Sequence, residues 1–156
     1  MQNTTLCYIQ KNNSYLMIHR TKKKNDYNKD KWIGIGGKIE EGESPKECIF
    51  REVKEETGLS LNSAEYRGIV TFVSQEKDEF YCEFMHLFWS NNFSGELSNL
   101  SSCDEGDLEW IPISKMNELP HWKGDEIFLD FIKSNAPFFS LKLVYKNGDL
   151  INYKIE

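Results

Sequence analysis

The sequence predicts an α/β domain, and three observations carry that prediction. Segments with strand-like alternation recur from one end of the chain to the other. Between them lies one helix with explicit start and stop signals, Ser44-Pro45-Lys46-Glu47 and Gly58. A second segment, 124–134, sets Ile127, Phe128, Phe131 and Ile132 on one helical face. A chain of 156 residues with 39% hydrophobic and 13% aromatic content suits one globular domain with a real core.

In chain order, residues 4–10 and 14–19 read as paired strands joined by the turn Lys11-Asn12-Asn13. Residues 21–31 form a polar loop. The glycines Gly34, Gly36 and Gly37 then predict a turn where the backbone can approach a ligand. Ser44 is the expected N-cap, Pro45 fits the first helical position, and Glu47 completes a capping box. That helix should run to about Thr57. Residues 66–74 and 79–90 read as two further strands, and 107–112 as a short strand ended by Pro112. The segments 138–146 and 150–155 flank Asn147-Gly148, the preferred dipeptide of a tight hairpin.

The capped helix carries the chemistry. At about 100° per residue, Glu52, Glu55 and Glu56 fall within one arc, and Ile49, Phe50 and Val53 fall on another. One side is thus built for the core and the other for a cleft. Glu52 and Glu56 form a like-charge i, i+4 pair, and all three carboxylates sit near the negative end of the helix dipole. Such a cluster is stabilised by a cation. Oxygen-only ligands favour Mg²⁺, with Mn²⁺ as a substitute. Arg51 can pair with Glu55 one turn on. A solvated charged helix face is the plainer alternative for an isolated cluster of this kind.

The stretch Gly37 to Leu59 resembles the Nudix box, G-x5-E-x7-R-E-U-x-E-E-x-G-U, with U aliphatic. Gly37, Glu43, Arg51, Glu52, Val53, Glu55, Glu56, Gly58 and Leu59 fill its fixed positions. The resemblance implies a Nudix fold, an α/β/α sandwich with a mixed β-sheet. It also implies hydrolysis of a nucleoside diphosphate linked to another group, with divalent metal. Under it Glu52, Glu55 and Glu56 ligate Mg²⁺, with the Gly37 carbonyl and Gly36 beside them, and Glu55 or Glu56 helps activate water. Glu43 supports the loop–helix junction through Arg51.

Outside the box the chain is similar to MutT-type oxidised purine nucleoside triphosphatases, through Lys31–Lys38, Asp104–Trp110, His121–Asp125 and Pro137–Ser140. That resemblance implies conversion of 8-oxo-dGTP or a related purine dNTP to monophosphate and pyrophosphate. By position Glu105 reaches the metal from a loop, Trp122 stacks on the purine and Asp125 bonds the base edge. Arg20 and Lys38 contact phosphates, while Thr5, Ile33 and Ile35 belong to the substrate site. Ile33 and Gly124 depart from the human-type pattern, an asparagine and the first of two aspartates, so base recognition differs in detail. Another dNTP, ADP-ribose or a pterin triphosphate is the alternative substrate, and a non-catalytic nucleotide sensor is the alternative class.

Composition narrows the partners. A formal charge of −6 ill suits a nucleic acid polymer, and Lys22-Lys23-Lys24 reads as a solvated loop. The start MQNTTLCYIQ is no signal peptide, and no apolar run spans a membrane, which makes the cytoplasm the expected location. The oligomeric state is left open, with a monomer favoured. Cys7, Cys48, Cys82 and Cys103 form no C-x-x-C pair and read as free thiols. His19, His86 and His121 share no metal spacing. His86 reads as structural, and His121 edges the pocket.

Overall fold

The computed structural model describes residues 1–98 and 106–156. Its strands are β1 (Gln2–Lys11), β2 (Ser14–Arg20), β3 (Trp32–Ile33), β4 (Ile35–Lys38), β5 (Ser60–Leu61), β6 (Glu65–Glu76), β7 (Glu79–Ser90), β8 (Phe93–Ser94), β9 (Gly106–Pro112), β10 (Phe139–Lys146) and β11 (Asp149–Ile155). The helices are α1 (Pro45–Thr57) and α2 (Asp125–Lys133), with a short 3-10 helix at Ile113–Glu118. The main sheet runs β11-β10-β6-β7-β1-β2-β3, with β4 paired to β1 and β9 to β2. It is mixed: β1–β7 and β10–β6 are parallel, and the other pairs are antiparallel.

Strand β1 shows how the helices are arranged around this sheet. Successive side chains on a strand point to opposite faces. Leu6 and Tyr8 join one apolar cluster with Phe128 and Ile132 of α2 and with Leu141 and Leu143. Cys7 and Ile9 join a second cluster with Ile49 and Val53 of α1. Residues 4–9 of β1 are accordingly all buried. The sheet therefore separates two cores, one under each helix, as expected for an α/β/α arrangement.

The local signals of α1 act as the sequence suggests. Ser44 accepts from the Glu47 amide, the Glu47 carboxylate accepts from the Ser44 amide, and Gly58 closes the helix at φ 81°. At the other helix, the Arg67 guanidinium donates to the carbonyls of Phe131, Ile132 and Ala136, which lie at or just beyond the end of α2. A cation there also suits the helix dipole. The last hairpin turns through Asn147 and Gly148, both at positive φ.

One local expectation is corrected. The glycine stretch is not a free turn: Ile35–Lys38 is a strand that pairs residue by residue with Thr4–Cys7 of β1. Glycine permits this close approach, because a Cβ on Gly36 would lie 1.9 Å from the Thr5 carbonyl oxygen. The small ladder β5–β8 and the 3-10 helix after Pro112 were not anticipated, since segments of two to six residues carry too little periodicity.

Replacing Ser44 with alanine removes one half of the capping box. Urea unfolding should show a loss of about 1 kcal/mol. An unchanged midpoint would show that the α1 start is held by packing alone.

Candidate functional site

Helix α1 and strand β4 meet edge to edge, and Arg51 joins them. Its Nε and Nη2 donate to the two oxygens of Glu43 at 2.7 and 2.9 Å, a bidentate pair. Its Nη1 donates to Glu52 at 2.8 Å and to Glu55 at 3.2 Å, and Nη2 also reaches the Lys38 carbonyl at 3.2 Å. The guanidinium beside Glu43 pulls that carboxyl down to about 2. Hydrogen bonding to Glu43 in turn pushes Arg51 up, so neither member of the pair changes charge near neutrality. One cation thus orients three box carboxylates and the strand that faces them.

Gly37 sets how close the strand comes. A Cβ there would lie 2.5 Å from the Glu52 carboxylate. Glu52 is only 15% exposed, whereas Glu55 is 60% exposed and Glu56 is half-buried. Among the described residues no three acidic, histidine or cysteine side chains close around a point as a metal cage. The donor set still fits Mg²⁺, which takes one or two carboxylates and leaves its other positions to water and phosphate. Glu52 held against Gly37 at the rim of an open cavity is that kind of site. Glu105 lies outside the described residues.

A cavity of about 690 Å³ extends from this rim across the sheet face, within the size range of nucleotide-sized ligand sites. Gly36, Gly37, Lys38 and Glu52 stand at one end, and Trp122 and Asp125 also line it. Arg20, Ile33 and Thr5 are among its lining residues. The Arg20 Nε donates to Asp26 at 2.6 Å, which fixes its side chain across the 21–31 loop. The Thr5 hydroxyl is turned to the α1 side, 3.2 Å from the Cys48 sulfur, and Thr4 presents its hydroxyl on the cavity side. Ile35 does not reach the cavity. It is fully buried in the α1-side core, because β4 alternates and position 35 faces inward.

Trp122 is more enclosed than a bare stacking surface. It is 6% exposed, its Nε1 donates to Asn28 at 2.6 Å, Tyr27 stacks on it at 5.3 Å, and the Lys31 ammonium lies 4.3 Å over the ring. Tyr27 stacks in turn on Tyr81 at 5.1 Å. The aromatic wall of the cavity is therefore the column Trp122–Tyr27–Tyr81. Sequence reasoning missed Tyr27, Tyr81, Glu83 and Met85. Tyr27 sits in a segment that reads as polar loop, and the others are ordinary alternating strand positions.

Asp125 is buried, and desolvation pushes its carboxyl up to about 7, opposed by His121 and Lys31 and assisted by Glu126. Beside it is a small cavity of about 10 Å³, also lined by Tyr8 and His121, about the space of one water molecule. The Tyr8 hydroxyl is buried there without a hydrogen-bond partner among the described residues. His121 edges this small cavity and not the large one, held by Glu126 at 2.8 Å. His86 hydrogen-bonds Tyr66 and Asn3 on the sheet. Cys7, Cys48 and Cys82 are free thiols, and burial pushes Cys48 up to about 11, so it is no nucleophile at neutral pH. No helix among the described residues is long and apolar enough to cross a membrane.

The model of the NUDIX domain matches residues 2–131. The uncharacterized Nudix hydrolase YvcI of Bacillus subtilis is 27% identical over 100% of this chain and 95% of its own. The oxidized purine nucleoside triphosphate hydrolase of Danio rerio is 25% identical, over 86% of this chain and 83% of its own. The crystal structure of a MutT protein from Bacillus halodurans superposes with a TM-score of 0.86 at 25% identity, covering 100% and 98% of the two chains.

A raised carboxyl pKa costs stability at high pH. Between the unfolded value near 4 and the folded value of about 7, the folded state holds a proton that the unfolded state has lost. Stability from this group falls as pH rises through that window and is level above it. Asp125→Asn should therefore raise Tm at pH 8.5 and give little gain at pH 4. A gain that is the same at both pH values would show that Asp125 does not titrate in this range.

Proposed function

The chain belongs to the NUDIX family and is a hydrolase acting on pyrophosphate bonds; from that premise we propose that its substrate is an oxidised purine nucleoside triphosphate. The specific reaction is cleavage of 8-oxo-dGTP, or a related purine dNTP, to monophosphate and pyrophosphate with Mg²⁺. It would serve as nucleotide-pool sanitation by a single-domain, monomeric cytoplasmic enzyme. One observation carries this reading. A single cavity holds an acidic, glycine-lined end and an aromatic end with a protonatable carboxyl. A polyphosphate and a purine need those two environments. The name of the zebrafish relative supports the same class.

Glu52, Glu55 and Glu56, the Gly37 carbonyl with Gly36 beside it, and Glu105 are the groups that would hold Mg²⁺. When bound, the ion neutralises phosphate charge and lowers the pKa of attacking water. The chain's own residues do the rest. Arg51 fixes the direction of Glu52 and Glu55. Glu55 or Glu56 accepts the proton as water attacks phosphorus, and pyrophosphate leaves. Lys38 and Arg20, both on the cavity, face the phosphates. The Trp122 column excludes water around the base, and Asp125 donates a hydrogen bond to it when protonated.

Turnover of 8-oxo-dGTP, dGTP, 2-oxo-dATP and ADP-ribose with Mg²⁺, read as pyrophosphate release for the triphosphates and as AMP formation for ADP-ribose, tests this assignment. The highest kcat/KM is expected for 8-oxo-dGTP. Glu55→Gln and Glu56→Gln should bracket the general base, one of them lowering kcat at least about 100-fold with Tm unchanged. Wild-type rates in both variants would remove these residues from the chemistry, and better turnover of ADP-ribose would sink the substrate.

A further inference from the structure

Across the cavity face of the sheet, β4, β1, β7 and β6 lie side by side. Lys38 pairs with Thr4, Gln2 pairs with Glu83, and Glu83 pairs with Phe72. Glu83 thus sits two strands from β4, roughly 10 Å at ordinary strand spacing. That places it away from the carboxylates of α1 and beside the aromatic column. Its side chain lines the cavity.

Both carboxylate oxygens are positioned. One accepts from the Thr4 hydroxyl, and the other from the Tyr81 hydroxyl at 2.6 Å. Burial, reinforced by Glu83 itself, keeps the Tyr81 phenol protonated, so it acts as the donor. Each carboxylate oxygen can accept more than one hydrogen bond. The two donors therefore fix the plane of the group and leave acceptor capacity on each oxygen. Tyr81 also stacks on Tyr27, so the same residue orients the carboxylate and forms part of the planar wall next to it.

Building on the hydrolase assignment above, we propose that Glu83 is a specificity-determining residue that reads the guanine edge of the base. A fixed carboxylate matches two adjacent N–H donors, as it does in a bidentate guanidinium pair. Guanine offers that arrangement in its ring N1–H and 2-amino group. Hypoxanthine keeps the first and lacks the second, and adenine replaces the ring N–H with a lone pair that faces a carboxylate unfavourably. Oxidation at C8 changes the opposite side of the ring, so Glu83 selects guanine without regard to damage.

Binding of product monophosphates separates this residue from turnover. Titration calorimetry of dGMP, 8-oxo-dGMP and dIMP would be run on wild type, Glu83→Gln and Glu83→Asp. Wild type should bind dGMP at least roughly 10-fold tighter than dIMP. Glu83→Gln should bring that ratio near one and weaken dGMP and 8-oxo-dGMP equally, with dIMP little changed. Glu83→Asp, which withdraws the carboxylate by one methylene, should fall between. The dGMP to dIMP ratio is internal to each variant, so a general loss of fold does not mimic the effect. No dGMP preference in wild type, no dGMP binding, or a preference that survives Glu83→Gln overturns the proposal. Pyrophosphate release from 8-oxo-dGTP and dGTP, assayed in parallel, fails separately: selective binding without turnover of either sinks the hydrolysis of these triphosphates and leaves Glu83 in place.

Discussion

Arg51 is the interaction on which the site depends. Three acidic side chains on one helix face repel one another, and they sit toward the end where the helix dipole opposes them. A single guanidinium, anchored on Glu43 and the Lys38 carbonyl, directs Glu52 and Glu55 together. The planar fork gives direction as well as charge, which a lysine ammonium at this position would not. Because the same group ties α1 to β4, the acidic face and the backbone opposite it are held as one unit. The capping box and Gly58 fix where α1 begins and ends, and so set which residues meet the strand.

The two ends of the cavity are constructed differently. The α1 end is local: its groups come from one loop–helix stretch whose spacing is written in the chain. The aromatic end is assembled from distant segments, Tyr27 in a loop, Tyr81 and Glu83 on β7, and Trp122 before α2. Its polar groups hold each other, Thr4 and Tyr81 on Glu83 and Asn28 on the Trp122 indole. A local element supports chemistry common to a family, while an assembled wall can vary residue by residue. Of the departures from a familiar pattern, Ile33 lines the cavity and Gly124 directly precedes Asp125.

Legibility in the sequence follows the same division. Ser44, Glu47 and Gly58 act within a few residues of their own position, and the limits of α1 were readable from them. The acidic arc and its partner Arg51 were readable by helical periodicity. Strand β4 was not, because a glycine-rich strand has almost no side-chain pattern and is defined by backbone pairing with β1. The resemblance puts Ile35 in the substrate site, whereas strand alternation turns it into the core. Glu83 was invisible for another reason: its partner Thr4 is distant in the chain, and only the parallel pairing of β1 with β7 brings them together.

Strand β1 is a wall shared by two rooms. Thr4 serves the cavity while Thr5 serves Cys48 behind it, and each neighbour along the strand is committed to one core or the other. Inserting or deleting one residue here would exchange the two sides at once. Thr4 would leave Glu83, Leu6 and Tyr8 would meet α1, and Cys7 and Ile9 would meet α2. Point substitutions in this strand can be absorbed one at a time, but its length cannot drift. Changes in chain length must therefore be taken up outside this strand.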